Sequence, residues 1–201
     1  MSAAPVDFYF EFSSPYGYIA SALVDDLAGR IGREIRWRPF LLGPVFKATG
    51  SGPLVDIPMK GEYSRRDFGR SARFYGVRFA MPPKFPIGTV AAMRAFYWAQ
   101  ASDAGLAKRL AVALYNAYFV EGKDISESRT VVEVASALGI DASALEAGLA
   151  DASLKERAKA EVDEAIARGV FGSPYFIVDG EPFWGCDRIP MLEAWVKRGG
   201  W

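Results

Sequence analysis

Phe10-Glu11-Phe12-Ser13-Ser14-Pro15-Tyr16-Gly17-Tyr18 is the stretch from which the fold of this chain is read. Before it, Val6, Phe8, Phe10 and Phe12 alternate with their neighbours, the period of a strand. After it, Ile19, Ala20, Leu23, Val24 and Leu27 recur at helical spacing. Ser14 is placed as an N-cap, and Pro15 takes the first helical position, where a missing N–H costs nothing. Ser14 is therefore expected at a strand tip and at the positive end of a helix. That arrangement favours a thiolate or carboxylate near its hydroxyl. Ser-Pro is also an ordinary helix start, and alone the pair implies no more than that.

Working outward, residues 6–12 read as a strand and 14 to about 30 as a helix that closes near Gly29 and Gly32. Glu34-Ile35-Arg36-Trp37-Arg38 alternates as a second strand and stops at Pro39. Strand, helix and strand in so short a span make a βαβ unit with parallel strands. Residues 40–58 are rich in Gly and Pro, with room for a short helix over 45–48. Helical patterns follow over 63–75, 89–102 (Thr89 as cap), 106–120, 129–138, 144–149 and 153–168, with an extended connector at 81–86. Then Tyr175–Val178, Asp179-Gly180 and Glu181–Trp184 give a hairpin signal. Asp187 opens a last helix with Ile189, Leu192, Trp195 and Val196 on its buried face. This order predicts an α/β fold: a thioredoxin-like sheet (βαβ … ββα) with a large all-helical insertion. Residues 1–42 and 168–201 would form the discontinuous thioredoxin-like domain and 43–167 the insertion.

Composition excludes several chemistries. The 201 residues are 51% apolar, with 24 basic and 24 acidic side chains, so no basic excess points to nucleic acid. No secretion signal or long apolar span is visible, and the expectation is a cytoplasmic protein without a membrane segment. There is no histidine, which removes Ser-His-Asp and Cys-His catalysis and His-ligated zinc. One cysteine, Cys186, allows no disulfide within the chain, no redox pair and no cysteine-rich metal site.

In thioredoxin-like folds the first strand–helix corner carries the working cysteines; here it reads Ser14-Pro15-Tyr16-Gly17 and cannot exchange disulfides. A serine with no base beside it is a poor nucleophile. Its hydroxyl can instead donate to a thiolate brought by a ligand and keep more of that thiol ionised; glutathione is the obvious soluble thiol. Ser173-Pro174, if its bond is cis, would present the Ser173 backbone beside Ser14 to pair with a bound peptide. Asp187 is suited to an α-amine and the turn around it, with Arg188, to a carboxylate; an ordinary cap and a solvated Arg are the plain alternatives. Lys60, in a polar loop, is a candidate for a second carboxylate. Cys186 is assigned no catalytic role.

Taken together, several stretches resemble the 2-hydroxychromene-2-carboxylate isomerase family, close kin of the kappa-class glutathione transferases and DsbA-like in fold. They are Val6–Phe10 leading to Ser14-Pro15-Tyr16; Trp37–Gly43; Phe46–Gly50; Lys60–Tyr63 with Asp67; Phe85-Pro86-Ile87; Gly169–Pro174; and Phe183-Trp184-Gly185 followed by Asp187-Arg188. The resemblance implies a dimer that binds glutathione, with Ser14 as the catalytic serine facing its sulfur. It implies that Lys60, Ser173, Pro174, Asp187 and Arg188 hold the peptide. Ser51 stands where an Asn commonly helps bind ligand; Gly17 and Gly88 also depart from the usual Ser and Asn. The implied reaction interconverts 2-hydroxychromene-2-carboxylate and trans-o-hydroxybenzylidenepyruvate in aromatic-compound degradation. Tyr16, Phe40 and Trp184 are candidate flat walls for the aromatic carboxylate, with core packing as the alternative. A kappa-like transferase that releases a conjugate and a non-catalytic thioredoxin-like binding module are the competing functions.

Overall fold

Every position of β1 (Val6–Phe10) is buried, because this strand lies inside a sheet of order β2-β1-β3-β4. The structure, a computed structural model, describes residues 4–201. β2 (Ile35–Pro39) runs parallel to β1, as the short βαβ spacing requires. β3 (Tyr175–Val178) and β4 (Glu181–Trp184) complete the sheet as an antiparallel hairpin. Its turn holds Asp179 at φ 52° and Gly180 at φ 87°, the left-handed pair that a type I′ turn needs.

The connections between β1 and β2 are α1 (Pro15–Ser21) and α2 (Val24–Ile31). Between β2 and β3 come α3 (Leu42–Thr49), α4 (Lys60–Phe74), α5 (Val90–Gln100), α6 (Ala104–Phe119), α7 (Ser128–Ser136), α8 (Ala142–Ala150) and α9 (Ala152–Ala167). A turn of 3₁₀-helix at 186–188 leads into α10 (Ile189–Arg198). No helix of the described residues is long and apolar enough to cross a membrane.

Register explains the core. Trp37, Phe8, Phe176 and Phe183 form one row across all four strands, with Phe8 stacked on Phe176 at 5.1 Å. Phe10 continues that face to Phe96 of α5 and Tyr115 of α6, at 5.9 and 5.8 Å. Each such ring removed from water contributes on the order of 2–3 kcal/mol, and the cluster runs without a break from the sheet into the helices. The opposite row is Arg38, Tyr9, Tyr175 and Trp184. α9 and the residue after it cover part of this row: Arg38 pairs with Glu161 and Glu164, and Arg168 donates to Asp7 and to the Tyr9 hydroxyl.

The structure corrects the sequence in several places. β1 stops at Phe10 because the chain turns at 11–14, where the Ser14 N–H meets the Glu11 carbonyl at 2.9 Å. The first helix is two helices: the Ser21 hydroxyl takes the Tyr18 carbonyl at 2.7 Å, and Ala22 and Leu23 bond three residues back rather than four. α4 starts at Lys60, after Met59 at φ 68°. The last α-helix starts at Ile189, not Asp187, with Pro190 in its first turn. Phe40, expected as a substrate wall, is 1% exposed and edge-on to Tyr9 at 6.3 Å. Its N–H extends the β2 ladder onto the Phe10 carbonyl, which makes Phe40 a core residue.

Candidate active site

The 11–14 turn delivers Ser14 to α1 as its N-cap, in extended backbone (φ −89°, ψ 114°) with Pro15 next. Ser14 Oγ accepts the Gly17 N–H at 3.0 Å and donates to the Ser173 carbonyl at 2.9 Å. The Ser173–Pro174 peptide is cis. Ser173 Oγ in turn accepts the Glu11 N–H at 2.9 Å. The two Ser-Pro steps, from opposite ends of the chain, are thus clasped together. Gly17 permits the closeness: a Cβ there would sit 2.7 Å from Ser173 Oγ and 2.8 Å from the Tyr115 hydroxyl.

Under the clasp lies a residue the sequence reading passed over. Glu11 is 5% exposed. Its carboxylate accepts the Ser13 N–H at 2.8 Å and the Thr89 hydroxyl, while its carbonyl accepts the Tyr115 hydroxyl at 3.0 Å. Thr89, the expected helix cap, spends its hydroxyl on Glu11 rather than on its own helix. Burial pushes the Glu11 carboxyl up to about 7, outweighing the two donors that favour its charged form. The available signal was an acid closing an otherwise apolar strand, just before Ser13-Ser14.

The other candidates lie on separate segments. Tyr16, half-buried, donates to Asp67 of α4 at 2.6 Å and packs edge-on to Phe68 at 5.1 Å. Burial, and then Asp67 as acceptor, raise its hydroxyl pKa. Lys60 is the exposed first residue of that same helix, with no carboxylate partner among the described residues. The 3₁₀ turn holding Asp187 packs against α1. Asp187 and Arg188 are exposed and 3.6 Å apart. Ser51 is exposed and shares a 2.6 Å hydrogen bond with Thr49. Trp184 is 51% exposed and closes on Gly172 and Phe171. Trp184 and Arg188 also line an open cleft of about 290 Å³ beside α10, of which Ser14 is not part. Ser51, Lys60, Trp184, Asp187 and Arg188 make no hydrogen bond to the Ser14 clasp. Cys186 is buried, and its thiol is pushed up to about 12 by burial and then by Asp187; it is not poised as a nucleophile.

Chemically, Ser14 offers a hydroxyl donor with no base to make it a nucleophile. α4, which begins at Lys60, and the 186–188 turn, which carries Asp187 and Arg188, both pack against the helix that Ser14 caps, and the buried Glu11 carboxyl lies in the turn before it.

Comparison with known proteins agrees with this architecture. The family described as DSBA-like thioredoxin domain matches residues 5–197. The 2-hydroxychromene-2-carboxylate isomerase of Pseudomonas putida is 33% identical over 195 residues, covering 96% of this chain and 94% of that protein. Glutathione S-transferase kappa 1 of Caenorhabditis elegans is 29% identical and covers 96% and 91%. A solved 2-hydroxychromene-2-carboxylate isomerase superposes with a TM-score of 0.87 at 32% identity, over 97% of this chain and 95% of that one. The chain belongs to the DSBA-like thioredoxin family and, within it, to the 2-hydroxychromene-2-carboxylate isomerase family.

Proposed function

We propose that this DSBA-like family member is a glutathione-dependent isomerase that interconverts 2-hydroxychromene-2-carboxylate and trans-o-hydroxybenzylidenepyruvate, or a closely related aromatic carboxylate. The observation that carries the reading is Ser14. A hydroxyl stands where a thiol would exchange disulfides, and it is held on the Ser173 carbonyl. Rotated off that carbonyl, the same hydroxyl serves as a donor to sulfur. The donor set fits a tripeptide with one thiol, one amine and two carboxylates: Ser14 for sulfur, Ser173 and Pro174 for the cysteinyl backbone, Asp187 for the amine, and Lys60 with Arg188 and Ser51 for the carboxylates.

Glutathione, if bound by Ser14, Ser173, Pro174, Lys60, Asp187 and Arg188, would supply a thiolate nucleophile for reversible addition chemistry on a conjugated substrate. The chain's own part is to turn the Ser14 proton from the Ser173 carbonyl, where it rests, to the sulfur, seat the charged ends of the peptide, and give a flat substrate apolar faces at Tyr16 and Trp184. The reading includes a cytoplasmic homodimer, as the family implies. The kappa-class relatives support one alternative, a transferase that releases the conjugate.

Thermal unfolding with glutathione or S-methylglutathione tests the cofactor. At a ligand concentration ~100 times Kd, stabilisation is about 2.7 kcal/mol, a shift of roughly 5–11 °C. No shift with either ligand overturns both enzyme readings in favour of a binding module. During turnover an isomerase leaves total glutathione constant, whereas a transferase consumes it. Ser14→Ala removes a hydrogen bond to a charged sulfur, and turnover is expected to fall roughly 10–100-fold in a protein that still folds; undiminished turnover would falsify the role of Ser14.

A further inference from the structure

Glu11 has no role in the reading above, yet it touches the clasp from more directions than any other residue. Its carbonyl receives the Ser14 N–H, closing the turn that aims Ser14. Its own N–H holds Ser173 Oγ, while the Ser173 carbonyl takes the Ser14 hydroxyl. Its carboxylate grips the Ser13 N–H inside the same turn, and the Ser13 hydroxyl is fixed in turn by the Ile87 N–H at 3.1 Å. One buried residue, through its backbone and its carboxylate together, thereby fixes both halves of the site.

The charge of that side chain is uncompensated. α5 brings only the Thr89 hydroxyl to it. α6 brings two neutral phenols: Tyr115, hydrogen-bonded to its carbonyl, and Tyr118, whose hydroxyl is near Ser13 and donates to the Lys84 carbonyl. The 173–174 loop brings Ser173. No ion pair to Glu11 exists among the described residues. A carboxylate met only by neutral dipoles projects its field onto whatever anion rests at Ser14, three residues away across a tight turn.

We infer that Glu11 is a positioning residue: its buried carboxylate sets the Ser13–Ser14 turn, and its charge opposes ionisation of a thiol held at Ser14. The inference rests on the proposed binding of a thiol at that serine. Two groups so coupled lose their protons as a pair rather than independently. The rise of the Glu11 carboxyl to about 7 puts its half of that titration within the neutral range. For charges on the order of 10 Å apart, with an effective dielectric constant near 20, the coupling is about one pH unit.

Glu11→Gln separates charge from shape. The amide carbonyl still accepts the Ser13 N–H, and the amide NH₂ donates to Thr89 Oγ1, so both pairings survive. The test is a pH titration of the thiolate ultraviolet absorbance of glutathione bound to the intact protein. Wild type is expected to titrate over a broadened, two-step range. Glu11→Gln should titrate in one step, with a midpoint lower by up to about one pH unit. Thr89→Val, which strips one donor from the carboxyl, should move the Glu11 step upward. It decides the matter if Glu11→Gln fails to fold. Wild type that binds no glutathione overturns the proposed function along with this inference. Wild type that binds glutathione, with a titration unchanged in the folded variants, overturns only the role of Glu11.

Discussion

Two carboxylates at the ends of β1, Asp7 and Glu11, are equally buried and handled in opposite ways. Asp7 is 7% exposed and Glu11 5%. Asp7 meets Arg168 at 2.6 Å, Arg36 at 3.5 Å and Arg38 at 4.0 Å. Arg38 reaches on to Glu161 and Glu164, so the network ties α9 to the sheet with its charges balanced. Glu11 meets an amide and a hydroxyl and no cation. Balanced charge at one end makes a fixed joint. Unbalanced charge at the other leaves a group whose ionisation costs stability and whose field reaches Ser14.

The joint is the place to break the comparison first. Arg168→Met keeps much of the side-chain bulk but leaves Asp7 short of its nearest cation. Asp7 is buried while Arg168 is open to solvent, so removing this cation costs the lower end of the range for a fully buried pair, about 3–5 kcal/mol, and urea unfolding reads it directly. A loss under about 1 kcal/mol would mean that Arg36 and Arg38 hold Asp7 unaided, and the contrast with Glu11 would lie in redundancy rather than in pairing.

Glu11 gives an effect of similar size with the opposite logic. Its carboxyl has an ordinary value of 4.5 and is pushed up to about 7 in the fold by burial. Between those values the folded chain holds a proton that the unfolded chain has released, so stability falls as pH rises through that window. The favourable contribution is complete below the unfolded value and gone above the folded one, a swing of about 3 kcal/mol. Subtracting the urea-unfolding pH profile of Glu11→Gln from that of wild type isolates it. A flat difference would show that the carboxylate is solvated well enough to ionise freely, and Glu11 would then resemble an ordinary surface acid.

Gly17→Ala comes next, because the Glu11 end depends on close approach where the Asp7 end depends on charge. A methyl at that position meets Ser173 Oγ and the Tyr115 hydroxyl under 3 Å and Ser14 Cβ at 3.2 Å. Overpacking of this kind costs about 2 kcal/mol and pushes Ser14 off the Ser173 carbonyl. The unfolding midpoint should fall while glutathione binding weakens in parallel. Stability lost with binding intact would place the strain on Tyr115 alone.

The same contrast marks what the sequence shows and what it hides. The Ser14-Pro15 cap and the Asp179-Gly180 turn are local patterns, decided by neighbours within a few residues, and each is found where those patterns put it; the strand before the cap ends at Phe10, two residues short of its alternating run. Glu11 draws on Thr89, Tyr115 and Ser173, which lie 78, 104 and 162 residues away. In the sequence it only interrupts an apolar run. Asp7 and Arg168 find each other across 161 residues and are equally silent. Phe40 reads the same whether it faces a ligand or Tyr9; only the β2 ladder decides which. The break between α1 and α2 turns on one hydroxyl, Ser21, outcompeting a helical N–H for a carbonyl, a choice that helical periodicity does not register.

Asp67 is the intermediate case, and it yields the smallest effect. It is partly buried and takes both kinds of partner, the Tyr16 hydroxyl at 2.6 Å and the Arg70 guanidinium at 2.5 Å, with Ser71 at 3.3 Å. Burial works to raise its carboxyl, but these hydrogen bonds and the charge of Arg70 outweigh it and hold the group below its ordinary value. Tyr16→Phe removes the neutral donor and leaves the cation. The ring still packs on Phe68, so the expected cost is one hydrogen bond, about 1 kcal/mol, or a midpoint lower by roughly 2–4 °C. The Asp67 carboxyl, followed by NMR, should move up toward its ordinary value without reaching it, since Arg70 remains. If it returns the whole way, the hydroxyl rather than the guanidinium was setting it. Neutral dipoles alone would then suffice to hold a carboxylate ionised on the α4 wall of the site, and burial depth, not the missing cation, would separate Glu11 from Asp67.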